Sequence, residues 1–132
     1  MQLPIQSRFL KFSIIGGVGF LVDASVLYIA MSLGTGLYWG RVVSYCAAAT
    51  STWAMNRRFT FREQRGENRL VEWAKFFAAN SVGGITNYAV YATLISVSPL
   101  VAQWPILGVA AGCIAGLSIN FNLSRRVVFT GN

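Results

Sequence analysis

Histidine is absent from this 132-residue sequence, and only four residues are acidic: Asp23, Glu63, Glu67 and Glu72. The two cysteines, Cys46 and Cys113, each lie inside an apolar run. Zinc therefore has no plausible ligand set, and no disulfide framework is legible. No nucleophile–base pair can be drawn, so catalysis by the chain alone is not expected. Gly16-Gly17-Val18-Gly19 sits within an apolar run rather than between a strand and a helix. It is not a phosphate loop, and no cofactor is expected. Charge is scarce as well. Charged residues make up 11% of the chain, against roughly 25% in a soluble domain, too few to cover a soluble surface. The net charge of +7 does not point to nucleic acid, because the cations cluster at the ends of apolar segments.

What remains is largely hydrophobic, at 55%. A membrane-spanning helix needs about 20 mostly apolar residues. Hydropathy places four spans at about residues 9–33, 38–55, 73–97 and 104–123, within one domain covering 1–132. The first is too long for the apolar core of a signal peptide, contains Asp23 and precedes no A-x-A cleavage pattern. The connection 33–40 is short and Gly-rich, and 96–105 is short and uncharged. Residues 57–75 carry six basic side chains, Arg8 and Lys11 precede the first span, and Arg125 and Arg126 follow the last. Ten of the eleven basic residues thus fall on one side and only Arg41 on the other. The positive-inside rule puts both termini and the middle loop in the cytoplasm. Tyr38, Trp39 and Trp104 are expected at the far interface and Trp73 at the cytoplasmic one. The expected fold is an all-α membrane protein of four transmembrane helices, N-in/C-in.

The two halves resemble each other. Residues 11–28 (KFSIIGGVGFLVDASVLY) align without gaps on 75–92 (KFFAANSVGGITNYAVYA), and 52–61 (TWAMNRRFTF) align on 120–129 (NFNLSRRVVF). Halves of about 8–61 and 72–129, each with two spans and each beginning in the cytoplasm, make parallel repeats. Gly108, Gly112, Gly116 and Asn120 form a small-residue stripe whose counterpart is Gly40, Ser44, Ala48, Thr52 and Asn56. Such stripes are expected to be tight interhelix seams.

Asp23 is the sole acid within a span. It lies about 18 Å deeper than Lys11 at 1.5 Å per residue, on a face with Gly16, Gly19 and Phe20. Its repeat mate Asn87 shares a face with Asn80, Gly83 and Gly84. Intramembrane carboxylates face bundle interiors or wet cavities. Two readings stay open: a polar cavity or proton site, or a structural hydrogen bond from Asp23 to a neighbour such as Asn87. Asn56, Asn120 and Asn122 lie just inside the span ends, as interhelix hydrogen bonders or as ligand contacts. Lys11, Lys75, Arg57, Arg58, Arg125 and Arg126 form a quasi-symmetric basic ring, able to clamp a phosphate or simply to orient the spans. Arg62, Arg65 and Arg69, interleaved with Glu63, Glu67 and Glu72, read as a topological flank.

RFLKFSIIGGVGFLVDASVLY at 8–28 is similar to the opening of GtrA-like proteins, and TWAMNRRFTF and NFNLSRRVVF resemble that family's span endings. The second ending departs from the pattern, with Ser124 in place of Asn and Val127 in place of an aromatic. The resemblance covers nearly the whole chain. It implies a bacterial cytoplasmic-membrane protein that flips a polyprenyl-phosphate sugar for cell-surface polysaccharide synthesis, beside a glycosyltransferase. The six cations would take the phosphate, and Asp23, Asn80 and Asn87 would line the sugar's path. Four short spans are few for enclosing a sugar, so a homo-oligomer is expected. Two alternatives remain: a non-transporting subunit that anchors a glycosyltransferase, and a small proton-coupled exporter of cations.

Overall fold

The computed structural model describes residues 4–131, and the side chains of Leu37, Tyr38 and Pro105 lie outside that description. The expected interfacial role of Tyr38 therefore falls outside the described residues. Five α-helices follow one another: α1 (Ile5–Ser32), α2 (Leu37–Met55), α3 (Arg69–Val97), α4 (Pro99–Gln103) and α5 (Pro105–Leu123). No strand occurs among the described residues. The three prolines all stand at helix starts: Pro4 caps α1, and Pro99 and Pro105 open α4 and α5, where a missing N–H costs nothing. The short, uncharged connection between the third and fourth spans contains α4, capped by Ser98 Oγ accepting from the Val101 N–H at 3.4 Å.

Among the described residues, two stretches are long and apolar enough to cross a membrane: Ile5–Ser32, with mean hydropathy 2.0, and Ile106–Val128, with 1.7. Only 17% and 22% of those stretches are buried, so they are not core helices of a soluble protein. Phe20, Leu21, Tyr28 and Ile29 on α1, and Ile106 and Ile114 on α5, are all more than half exposed. An apolar surface of that extent calls for lipid. α2 and α3 are more polar: α2 carries Arg41, Ser44, Thr50, Ser51 and Thr52, and α3 opens on Arg69, Glu72 and Lys75 and carries Asn80 and Asn87.

The chain divides into two compact units, Met1–Trp73 with Phe129–Asn132, and Ala74–Val128. In the first unit α1 and α2 form an antiparallel hairpin. Its turn is set by Gly34, whose φ of +98° needs a residue without a Cβ. The Gly34 N–H donates to the Met31 carbonyl and the Thr35 N–H to the Ala30 carbonyl, the paired bonds of a Schellman cap. The buried residues Arg8, Phe12, Ile15 and Gly19 recur at the spacing of one helix face. Gly19 lies directly against Thr52 of α2, with no room for a Cβ.

In the second unit the glycine stripe of α5 packs on α3. Gly108 meets Tyr91 and Val101, Gly112 meets the side chain and backbone of Asn87, and Gly116 meets the Gly83 carbonyl and Asn87. A Cβ on Gly83 would collide with the Asn120 carboxamide. Without a hydrophobic effect between lipid-immersed helices, such close backbone approach supplies the packing.

Candidate functional site

The helix ends that carry the paired arginines are not α-helical. α2 continues into a π-helical turn at Asn56–Thr60, and α5 into another at Ser124–Val128. Such turns are rare and often sit at functional positions. The two endings share a burial pattern residue by residue. Asn56 and Ser124 are buried, Arg57 and Arg125 half-buried, Arg58 and Arg126 exposed, and Phe61 and Phe129 buried. Neighbouring positions on a helix face different ways, so each arginine pair is split between an inward and an outward member.

The inward members have partners within their own units. Glu72 at the start of α3 is 3% exposed. Its Oε1 accepts from Arg57 Nη1 at 2.5 Å and from Trp53 Nε1 at 3.1 Å, and its Oε2 accepts from the Gly66 N–H at 2.6 Å. Arg57 Nη2 also donates to the Gly66 carbonyl at 2.9 Å. Arg57, expected to meet a head-group, is thus bound into the loop that links the first hairpin to α3. Trp73, expected at the cytoplasmic interface, donates through Nε1 to Thr50 Oγ1 at 2.9 Å. Arg125 Nη2 donates to Asn122 Oδ1 at 3.1 Å, and its Cζ lies 6.0 Å from the Phe121 ring centroid. Arg58 lies beside the Phe59 ring at 5.7 Å. Arg58, Arg126, Lys11 and Lys75 are exposed.

The polar residues expected within the spans divide in the same way. Asp23 Oδ1 accepts from Arg41 Nη1 at 2.8 Å, with the side chains 23% and 51% exposed. The partner of the deep acid is the one basic residue on the far side of the charge pattern. Of its expected companions, Gly19 packs inward, whereas Gly16 and Phe20 are exposed. Asn56 is buried and accepts from Thr60 Oγ1 at 2.7 Å. Asn122 is exposed and donates to the Ser118 carbonyl at 2.9 Å. Asn80 is half-buried on α3. Asn120 holds a buried carboxamide oxygen without a hydrogen-bond donor. Asn87 lines an open groove of about 310 Å³ with Gly84, Tyr88, Tyr91, Val109 and Cys113, and its Nδ2 lies 3.9 Å from Cys113 Sγ. The second unit thus offers a carboxamide flanked by two tyrosines in a groove otherwise lined by Gly84, Val109 and Cys113.

Three residues outside the expected set emerge as important: Arg8, Arg41 and Glu72. Arg8 continues the inward stripe of α1, and that spacing alone could have marked it. Arg41 could have been matched to Asp23 as the one opposite charge on the adjoining span. Glu72 sits among interleaved charges, and no local pattern singles it out.

No curated protein matches this sequence. Residues 11–130 match the family model described as GtrA/DPMS, transmembrane domain, which agrees with the exposed apolar helices and with the resemblance of the span endings. The chain is a membrane protein, and it belongs to the GtrA/DPMS transmembrane-domain family, which is linked to the handling of polyprenyl-phosphate sugars.

Proposed function

We propose that this protein moves a polyprenyl-phosphate-linked sugar from the cytoplasmic to the outer leaflet of a bacterial cytoplasmic membrane. It crosses that membrane four times with both ends inside, makes and breaks no covalent bond, and works as a homo-oligomer beside a glycosyltransferase. The observation that carries this reading is the Asp23–Arg41 pair, a charged donor and acceptor held on the membrane-embedded hairpin with both side chains accessible. Charges at such depth are costly and mark pathways for polar cargo. On the second unit, Asn87 with Tyr88 and Tyr91 offers neutral groups suited to hydroxyls and sugar faces. Each unit carries outward cations suited to the phosphate, Lys11 and Arg58 on the first and Lys75 and Arg126 on the second. The polyprenyl tail stays in lipid.

The test is reconstitution. Proteoliposomes holding this chain alone should carry a short-chain polyprenyl-phosphate sugar between leaflets faster than protein-free liposomes. No acceleration at any protein density would sink the translocation reading. One observation favours a second reading, that of a membrane anchor for a glycosyltransferase. The loop at 61–72 is fixed by Glu72 and presents Arg62, Arg65 and Arg69 outward, a firm platform for a partner. Co-purification of a glycosyltransferase that is lost when these three arginines are neutralised, with no transport by the chain alone, would favour it.

A further inference from the structure

Phe61 is fully buried, and several segments of the first unit gather around it. Phe129 stacks on it with ring centroids 4.7 Å apart and planes 11° from parallel. Phe12 meets it edge-on at 6.3 Å. The Arg8 guanidinium carbon lies 5.9 Å from its centroid. The Gln64 N–H donates to the Phe61 carbonyl at 3.1 Å, and the Gln64 carbonyl accepts from the Gly131 N–H at 2.6 Å. The start of α1, the loop after the first π-helical turn and the segment ending the chain therefore converge on one ring.

Two donors at this junction have no acceptor. Arg8 is 8% exposed, yet its Nε is buried without a hydrogen-bond partner. No carboxylate pairs with its guanidinium among the described residues. Gln64 Nε2 is likewise buried and unpaired. Buried polar groups are almost always satisfied, and a buried cation needs a counter-charge. One orphan is a planar cation against the Phe61 ring, and the other is the neutral amide of Gln64, whose main-chain N–H is bonded to the Phe61 carbonyl. A group with several anionic oxygens answers both, whereas a single hydroxyl or water leaves the charge uncompensated.

We propose that Arg8 and Gln64 form a seat for a phosphate group, supplied by a lipid at the cytoplasmic membrane surface. Arg8 adjoins the apolar run that opens at Phe9, where lipid phosphates lie. Its fork is suited to phosphate oxygens. The seat is distinct from the exposed arginines of the two π-helical turns. It rests on the proposed function only in naming a polyprenyl phosphate as one natural occupant. Binding an anion here requires no translocation.

The experiment measures binding and thermal protection of the purified full chain in detergent. The probes are a short-chain polyprenyl phosphate, phosphatidylglycerol, the uncharged polyprenol and inorganic phosphate. The wild type should be protected by phosphate-bearing lipid and not by polyprenol. Arg8→Gln and Gln64→Leu should each weaken binding about tenfold or more, as for one lost charge-assisted hydrogen bond. Arg65→Gln, exposed on the same loop, should change it less than about twofold, as expected of a screened surface charge. Inorganic phosphate that protects as well as lipid supports the seat with a free-anion source, and protection by lipid alone supports it with a membrane source. Equal binding by wild type and Gln64→Leu overturns it, as does an equal loss with Arg65→Gln. If Arg8→Gln does not fold, the Gln64 variant and the polyprenol comparison still decide. Loss of transport with phosphate binding intact counts against translocation, not against the seat.

Discussion

Replacing Glu72 by Gln should loosen the loop at 61–72 without disturbing the apolar helices. Both carboxylate oxygens are used: one by Arg57 and Trp53, the other by the Gly66 N–H. A carboxamide keeps one acceptor but turns an NH₂ donor towards groups that are themselves donors. Breaking a buried ion pair from one side costs about 3–5 kcal/mol. Arg57 keeps the Gly66 carbonyl at 2.9 Å and retains some exposure, which puts the cost near the lower bound, about 3 kcal/mol. At about 1.4 kcal/mol per tenfold, the loop should open roughly 100-fold more often. Trypsin can read this through Arg62, Arg65 and Arg69, all exposed on the loop or at its end. When opening is fast relative to cleavage, the rate follows the open population. Limited trypsinolysis should therefore cut Glu72→Gln far faster than wild type, with α1 and α5 still protected by detergent or lipid. Arg57→Gln should give a smaller increase, and the double variant should fall well short of the sum, because the two residues share one interaction. Wild-type cleavage rates in Glu72→Gln, or strictly additive effects, would refute the assignment of Glu72 as the loop's anchor.

Cysteine labelling in a background lacking Cys46 and Cys113 should find Arg65→Cys reactive only from the cytoplasm and Ser98→Cys only from outside, and the reverse pattern would overturn the four-span orientation. Gly112→Leu should prevent α3 and α5 from closing, since even a Cβ there approaches the Asn87 backbone carbonyl to 2.6 Å. Overpacking costs about 1–3 kcal/mol, so a detergent-solubilised variant with unchanged thermal stability would refute the seam. Asp23→Asn and Arg41→Gln should each insert but transport poorly. If the pair is purely structural, the double variant, which leaves no lone charge, should recover transport, whereas continued loss assigns the charges to the cargo.

Hydropathy was enough to read the four long helices, though not the short α4. α2 and α5 end at Met55 and Leu123, where the apolar runs stop, and α3 begins at Arg69, a turn earlier than hydropathy places it, because charged residues are tolerated where a helix leaves lipid. The glycine stripe was legible because only small residues at four-residue steps allow backbones to touch. The π-helical turns were not, since Asn-Arg-Arg-Phe-Thr and Ser-Arg-Arg-Val-Val have no local composition that forbids an ordinary α-turn. The arginine pairs invited treatment as units, yet adjacent helical positions point in different directions, and burial separates Arg57 and Arg125 from Arg58 and Arg126. Arg8 shows the opposite difficulty. Its spacing to Phe12, Ile15 and Gly19 assigns it to the inward face, but its charge made it look like one more basic flank.

The pairing of Asp23 with Arg41 changes what the deep carboxylate implies. A lone acid in a span would be costly, and it would be the natural site for a proton or a small cation. A guanidinium 2.8 Å away repels any second cation there and lowers the cost of burying the acid. The main support for a cation exporter therefore weakens. The pair still leaves hydrogen-bonding capacity unused. A carboxylate has two oxygens and a guanidinium five N–H donors, and only Arg41 Nη1 and Asp23 Oδ1 are joined. The free donors and acceptors lie side by side, which suits a neutral ligand with many hydroxyls better than an ion of either sign. One contact thus favours a sugar over a cation.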